Sequence, residues 1–389
     1  MAEGRLSTFY DETKKYSHSR ADVLKLCVMP FMFFVVLGFP GKIGGYISQY
    51  SNFAFQTLFI LFGFYTLVPD KDERLEKLKA ALKRAFKLFA MMFITFMVLN
   101  VIYLAYTDSL SFLVSENIIR KRTFFNFLVL NIWQLPVGNS IWFIQSLVYA
   151  YIFFIIAEKL KLNKLYLPIL LLLIAFALAT GEFAGFCGFP YYEYPYIPGG
   201  AVTRAIPYML IGMYLRKNID KIGKIRNYYY LILFPIGLAL AVGEIELLNY
   251  LGKLVYTGHT IGFGIMALSL CCFTLGRTTN RNSYFSFRGS TFSRRMYALC
   301  QPVSFVAWLL CFLINPLYSI VERTNDSLIS LAICLLIVFI LDFIQFDKFM
   351  TGGINFKRGW KEFRMRIRFE WKHLKHKIKR RFKSNEEDK

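Results

Sequence analysis

The sequence predicts an all-α fold: a polytopic integral membrane protein of about ten transmembrane helices, both termini cytoplasmic. Three observations predict it. Apolar runs near the roughly 20 residues that span a bilayer recur along the chain. Hydrophobic residues make up 56% of the 389, more than a soluble fold of this size would hide. Lys and Arg concentrate in alternate connections, as they do in segments retained in the cytoplasm.

Residues 1–20 read as a basic cytoplasmic segment with Lys14, Lys15 and Arg20. The first span is 21–40, with Pro30 inside it as an expected kink. It is too long for the apolar core of a cleaved signal and lacks a small-residue cleavage site, so it is expected to stay as an anchor. A Gly-rich connection, 41–50, leads to a second span near 52–68. The charged stretch from Pro69 to Lys87 has helical propensity and precedes a third span near 88–106. The connection 107–139 is long and aromatic, and a fourth span covers about 140–157. After Lys159, Lys161 and Lys164 comes a fifth span, about 165–180. The aromatic loop 181–200 follows, then a sixth span near 201–215 and a seventh near 228–242. An eighth is expected from about 254 to 275, a ninth from 296 to 316, and a tenth from 328 to 345.

The connections after the second, fourth, sixth and eighth spans are strongly basic, as are both ends of the chain. Those after the first, fifth, seventh and ninth are poor in Lys and Arg. The connection after the third is mixed, with Arg120, Lys121 and Arg122 against the rule. Cytoplasmic ends follow from this alternation. The transmembrane domain is thus 21–345, and the tail is 346–389. In that tail Phe356, Trp360, Phe363, Ile367, Trp371, Leu374, Ile378 and Phe382 recur every three or four residues, with Lys and Arg on the other face. Such a helix lies on anionic lipid headgroups, packs on the protein's own cytoplasmic face or forms a coiled coil.

A charge of +22 can mark a nucleic-acid partner. Here the cations lie between and after apolar runs, and no nucleic-acid motif is present. No nucleic acid is expected as a partner. The seven cysteines have neither zinc-site nor disulfide spacing, and no metal is expected.

Several motifs resemble one another's neighbours in a known family. Asp22-Val23-Leu24-Lys25 and Val35-Val36-Leu37-Gly38 stand at the ends of the first span. Leu61-Phe62-Gly63-Phe64-Tyr65 ends the second. Trp142-Phe143-Ile144-Gln145-Ser146-Leu147 opens the fourth, and Arg204-Ala205-Ile206-Pro207-Tyr208-Met209-Leu210-Ile211-Gly212 the sixth. Tyr297-Ala298-Leu299-Cys300-Gln301-Pro302 lies in the ninth. In order and spacing the set resembles the acyltransferase-3 family of multi-pass membrane O-acyltransferases, over residues 20 to about 345. The resemblance implies transfer of an acyl group, usually acetyl, from cytoplasmic acyl-CoA to a hydroxyl of an envelope polysaccharide or lipid-linked sugar. It implies no bound cofactor, and a bacterial cytoplasmic membrane as the location.

The chain departs from the family at its reactive positions. Phe39 follows Gly38 where the family has histidine, and Gln301 replaces a histidine before Pro302. A benzyl group accepts no proton, so the expected general base is missing. His259 lies at the start of the eighth span, at the outer face, where the first span also ends. It is the candidate replacement base; the alternative is an interfacial histidine bonded to a carbonyl or water. Glu182 and Glu193 in the aromatic loop are further candidates, or solvated loop carboxylates. Arg204 matches a family arginine and suits a bidentate anion contact. Lys25 could meet a donor phosphate from the cytoplasm. Trp142, Gln145 and Gln301 complete the expected substrate-binding set; for both amides, interhelical hydrogen bonding is the alternative. A catalytically silent glycan-binding relative and a lipid-linked sugar transporter remain rival readings, although no inverted repeat supports the transporter.

Overall fold

The computed structural model describes residues 19–38, 41–106, 127, 138, 140–188, 200–254, 258–276, 296–306, 332–337 and 340. Two compact units are present, Met1–Leu331 and Ala332–Lys389. In the second, residues 332–337 and 340 are helical. The tail stripe, the tenth span beyond residue 340, Phe39 and Glu193 all lie outside the described residues. All regular structure among the described residues is helical.

In the first unit the helices are α1 (Ser19–Leu37), α2 (Gly41–Tyr50), α3 (Phe53–Thr66), α4 (Lys71–Tyr106), α5 (Ile141–Lys159), α6 (Tyr166–Thr180) and α7 (Ala184–Cys187). Then follow α8 (Ile206–Lys217), α9 (Ile219–Lys224), α10 (Asn227–Tyr250), α11 (Ile261–Leu275) and α12 (Met296–Val306). Among the described residues four stretches are long and apolar enough to cross a membrane: Lys71–Ala105, Ile141–Lys159, Leu162–Thr180 and Asn227–Tyr250. Apolar side chains stand exposed on all four, including Ile94 and Val98, Ile152 and Ile156, Leu171 and Leu172, and Ile232 and Ile236. A helix that turns large aliphatics outward is built for lipid rather than water.

Helix α3 is the centre of the unit. It is apolar on all sides, and Phe55, Phe59, Ile60, Leu61 and Phe64 are fully buried. Such a helix has no solvent face and must be surrounded. It packs on α8 most closely where two glycines meet the neighbouring backbone. A Cβ on Gly63 would stand 2.0 Å from the Met209 carbonyl oxygen, and one on Gly212 2.1 Å from that of Ile60. Small residues that let backbones touch are the usual device where apolar burial alone does not favour association. On its α5 side, Phe55 meets Trp142 at 4.8 Å between ring centres and Phe59 meets Phe143 at 4.7 Å.

Polar ties fix the helix ends. Arg74 on α4 pairs with Glu158 on α5 at 2.8 Å and donates to the Val68 carbonyl at 2.7 Å. Tyr166 on α6 donates to the other Glu158 oxygen at 2.7 Å. A buried ion pair with further hydrogen bonds on both partners sets register among three helices, the Arg74 Nε–H alone being left without an acceptor.

Several boundaries differ from expectation. The Gly-rich connection 41–50 is helical as α2. The charged stretch after Pro69 and the third span form one continuous helix, because no breaker separates Lys71 from Tyr106. The seventh span does not stop at Val242; α10 carries Gly243 to Tyr250 as well. The eighth begins only at Ile261, where the Thr260 hydroxyl caps the first turn by accepting from the Phe263 N–H at 3.0 Å.

Candidate functional site

The site is built where α8 begins and where the chain turns into α11. Residues Ala201–Ala205 form a π-type turn, and Pro207 then sits in the first turn of α8, where its missing N–H costs nothing. The wide turn carries Arg204 inward, and its side chain is 2% exposed. Single π turns are common where a side chain must be re-aimed.

Arg204 and His259 meet. The guanidinium Nε–H donates to His259 Nε2 at 2.9 Å, and Nη2 donates to the Gly258 carbonyl at 3.0 Å. The plane of the guanidinium lies over Trp142, 5.1 Å from the ring centre. Gln56 of α3 donates to the same Gly258 carbonyl at 3.4 Å. His259 is buried too. Because Nε2 accepts, the ring is neutral and carries its proton on Nδ1.

Glu182 follows Gly181 at the end of α6, next in the chain to a residue that touches His259. The adjacent Gly181 packs against His259: a Cβ there would stand 3.2 Å from His259 Cβ and 3.5 Å from Cδ2. Glu182 is fully buried and neither of its carboxylate oxygens has a hydrogen-bond partner, so it is not the solvated loop carboxylate that its loop position implied. Burial first, and then the nearby Glu244 charge, push its pKa up to about 8. At neutral pH it is therefore largely a neutral acid. Glu244, on the added turns of α10, accepts from the Gly262 N–H at 3.2 Å and places a carboxylate at the start of α11.

The other expected residues are elsewhere. Lys25 pairs with Asp22 at 2.8 Å, three residues away, and sits 4.6 Å over the Tyr65 ring. Tyr65 and Gln56 are nine residues apart on α3, about 14 Å of helix, so Lys25 is at the other end of the bundle. Gln301 accepts from the Ser140 N–H at 3.2 Å and hydroxyl at 2.9 Å, tying α12 to the start of α5. Gln145 donates to the Phe127 carbonyl at 2.6 Å and to the Tyr149 hydroxyl at 2.8 Å, facing α4 rather than Arg204.

Arg204, His259, Trp142 and Glu182 are thus drawn together from four separate stretches, and Lys25, Gln145 and Gln301 are not. Gln56 and Glu244 were missed. Gln56 carried a readable signal, an amide in an apolar run, as Gln145 did. Glu244 did not, since its segment reads as a connection.

Chemically, the cluster offers a fixed guanidinium, a neutral imidazole held against it and a carboxyl that changes protonation near neutral pH. The arrangement suits binding an oxyanion or carbonyl and moving a proton to or from a hydroxyl. Comparison with family models, with curated proteins and with solved structures found no match, so the cluster itself must carry the functional reading.

Proposed function

We propose that the protein is a membrane O-acyltransferase that moves an acyl group, acetyl in the simplest case, from cytoplasmic acyl-CoA to a hydroxyl of an envelope polysaccharide or lipid-linked sugar. The observation that carries the reading is the 2.9 Å bond between Arg204 and His259, both buried and 55 residues apart in sequence. Arg204 stands in the motif that resembles the acyltransferase-3 family, and His259 is the histidine nominated to replace the missing base.

In this reading the acceptor hydroxyl takes the place of the guanidinium at His259 Nε2. Its proton passes to the imidazole as oxygen attacks the thioester carbonyl. Arg204, displaced from Nε2, turns to the developing oxyanion. The carbon–sulfur bond breaks, and the coenzyme thiolate takes the proton from the imidazolium as it leaves. Trp142 holds the guanidinium plane, and Glu182 can supply or accept a proton beside the imidazole. About ten spans, both ends cytoplasmic and a bacterial inner membrane complete the proposal, with the basic tail on anionic lipid.

The test is to express the chain in a host lacking envelope O-acyl esters and assay the glycan for new ester. Ester present with wild type and lost in both His259→Ala and Arg204→Ala supports the reading. Ester that survives His259→Ala retires that residue as base. A second reading, a catalytically silent glycan-binding relative, is favoured by Gln301, which serves as a structural tie to Ser140. Absence of ester with every acyl-CoA supplied, together with retained glycan binding, selects it.

A further inference from the structure

We propose that Gln56 is a positioning residue, which holds the turn carrying His259 in place once Arg204 lets go of it. The inference rests on the acyl-transfer reading, in which the guanidinium leaves His259 for the developing oxyanion. The Gly258 carbonyl, immediately before His259, accepts from two side chains: Arg204 Nη2 at 3.0 Å and Gln56 Nε2 at 3.4 Å. The same guanidinium donates to His259 Nε2 through Nε–H at 2.9 Å. A planar guanidinium moves as a unit, so a swing that uncovers the base also strips Gly258 of its stronger donor. Gly258 is buried, and its carbonyl would then stand unpaired just as the imidazole has to be aimed. Gln56 is the donor that remains. With the charged competitor gone, its long contact can close to an ordinary hydrogen-bond length.

The resting state alone gives Gln56 little purpose. The side chain is fully buried, its hydrogen bond is long, and Oε1 has no hydrogen-bond partner. Turning the amide over would set its oxygen against the Gly258 oxygen, so the orphan cannot be relieved that way. A methionine, equally long and unbranched, would leave no orphan and would cost less in this state. What the amide adds is a second donor for Gly258.

The two donors also differ in what carries them. Arg204 extends a long side chain from the π-type turn before α8. Gln56 stands on α3 between two anchored neighbours. The Phe55 ring packs on Trp142 at 4.8 Å and on Phe143 at 5.3 Å. The Thr57 carbonyl accepts from Cys271 Sγ of α11 at 3.7 Å. One donor can swing, while the other is fixed to both α5 and α11.

The full chain in detergent is compared with Gln56→Met, Arg204→Ala and the double variant by hydrogen–deuterium exchange of peptides carrying His259 and Thr260. Gln56→Met is expected to match wild type, because Arg204 still serves Gly258. In the Arg204→Ala background the same substitution is expected to speed exchange about tenfold, because the carbonyl then has neither donor. An equal effect in both backgrounds, none included, overturns the assignment. Gln56→Met alone gives a test that does not depend on an Arg204 variant folding. Its melting temperature is expected to equal or exceed that of wild type, while ester formation at saturating acyl-CoA falls about tenfold with KM unchanged. A lower melting temperature overturns the proposal, since the amide would then be a tie of the resting fold, and so does an unchanged rate. Absence of ester from wild type retires the acyl-transfer reading instead, and the exchange comparison still decides whether Gln56 takes over the carbonyl.

Discussion

Glu182→Gln is expected to remove a pH dependence of stability that the native fold carries. Burial and the Glu244 charge raise the Glu182 pKa from 4.5 to about 8. The carboxyl of the unfolded chain ionises near its ordinary value of 4.5. Below that pH both states hold the proton, and this group's contribution is fully present. Between 4.5 and about 8 only the unfolded chain lets the proton go, so stability falls as pH rises. Above about 8 both states are ionised and the loss is complete. At about 1.36 kcal/mol per pH unit, the interval sets a ceiling of about 5 kcal/mol, before water entry and relaxation reduce it. Glutamine has the shape of the protonated acid and does not titrate. Thermal unfolding of the solubilised chain, followed by tryptophan fluorescence, should therefore give variant and wild-type curves that converge near pH 5 and separate steadily towards pH 8, the variant higher. Glu244→Gln, which removes the second cause, should lower the folded-state pKa of Glu182, so that the fall still begins near 4.5 but is complete below about 8. Parallel curves for wild type and Glu182→Gln across the whole interval would refute the reasoning, because they would mean that Glu182 reaches water or a donor.

Gly63→Ala should destabilise the fold by about 3 kcal/mol or more, measured by the same unfolding assay, since the new methyl would meet the Met209 backbone oxygen rather than a movable side chain. Arg74→Ala should cost about 3–5 kcal/mol by stranding the buried Glu158 carboxylate, whereas the double variant Arg74→Met, Glu158→Leu should cost clearly less; equal costs would sink the ion-pair account. Diethyl pyrocarbonate should modify His259 little in wild type and readily in Arg204→Ala, read by peptide mass spectrometry, while Trp142→Leu, which keeps the guanidinium, should stay protected.

The membrane class was legible because apolar runs of spanning length need no tertiary information. Arg204 and His259 were legible singly, one through its motif and the other because no histidine lies between His18 and His259. Their bond was not legible. It depends on a π-type turn aiming Arg204 inward and on Gly181 letting the end of α6 reach His259, and neither leaves a periodic trace. Glu244 was lost because Gly243-Glu244-Ile245-Glu246 looks polar enough to end a span, yet Ile245 and Leu248 bury one side of the continuing helix. Lys25, read as open to a phosphate from the cytoplasm, is paired with Asp22, three residues earlier, an i, i+3 spacing that the sequence itself displays.

The Arg204–His259 bond sets two demands against each other. As a structural contact it orders the turn before α8 and the stretch before α11, and it gives a buried guanidinium an acceptor that carries no charge. As part of a reaction centre it occupies the lone pair that a base needs. The two demands are compatible only if a substrate provides something better for the guanidinium than a neutral imidazole, and a developing oxyanion does. If the proposed acyl transfer holds, the resting bond keeps His259 from accepting protons until an acyl carbonyl is in place, which limits wasteful attack by water on the donor. Glu182 fits the same logic. A carboxyl that stays protonated at neutral pH adds no second negative charge beside Glu244. In that proposal His259 stands in for the histidine that the resemblance expects where Phe39 stands, and it is a base that must first be uncovered.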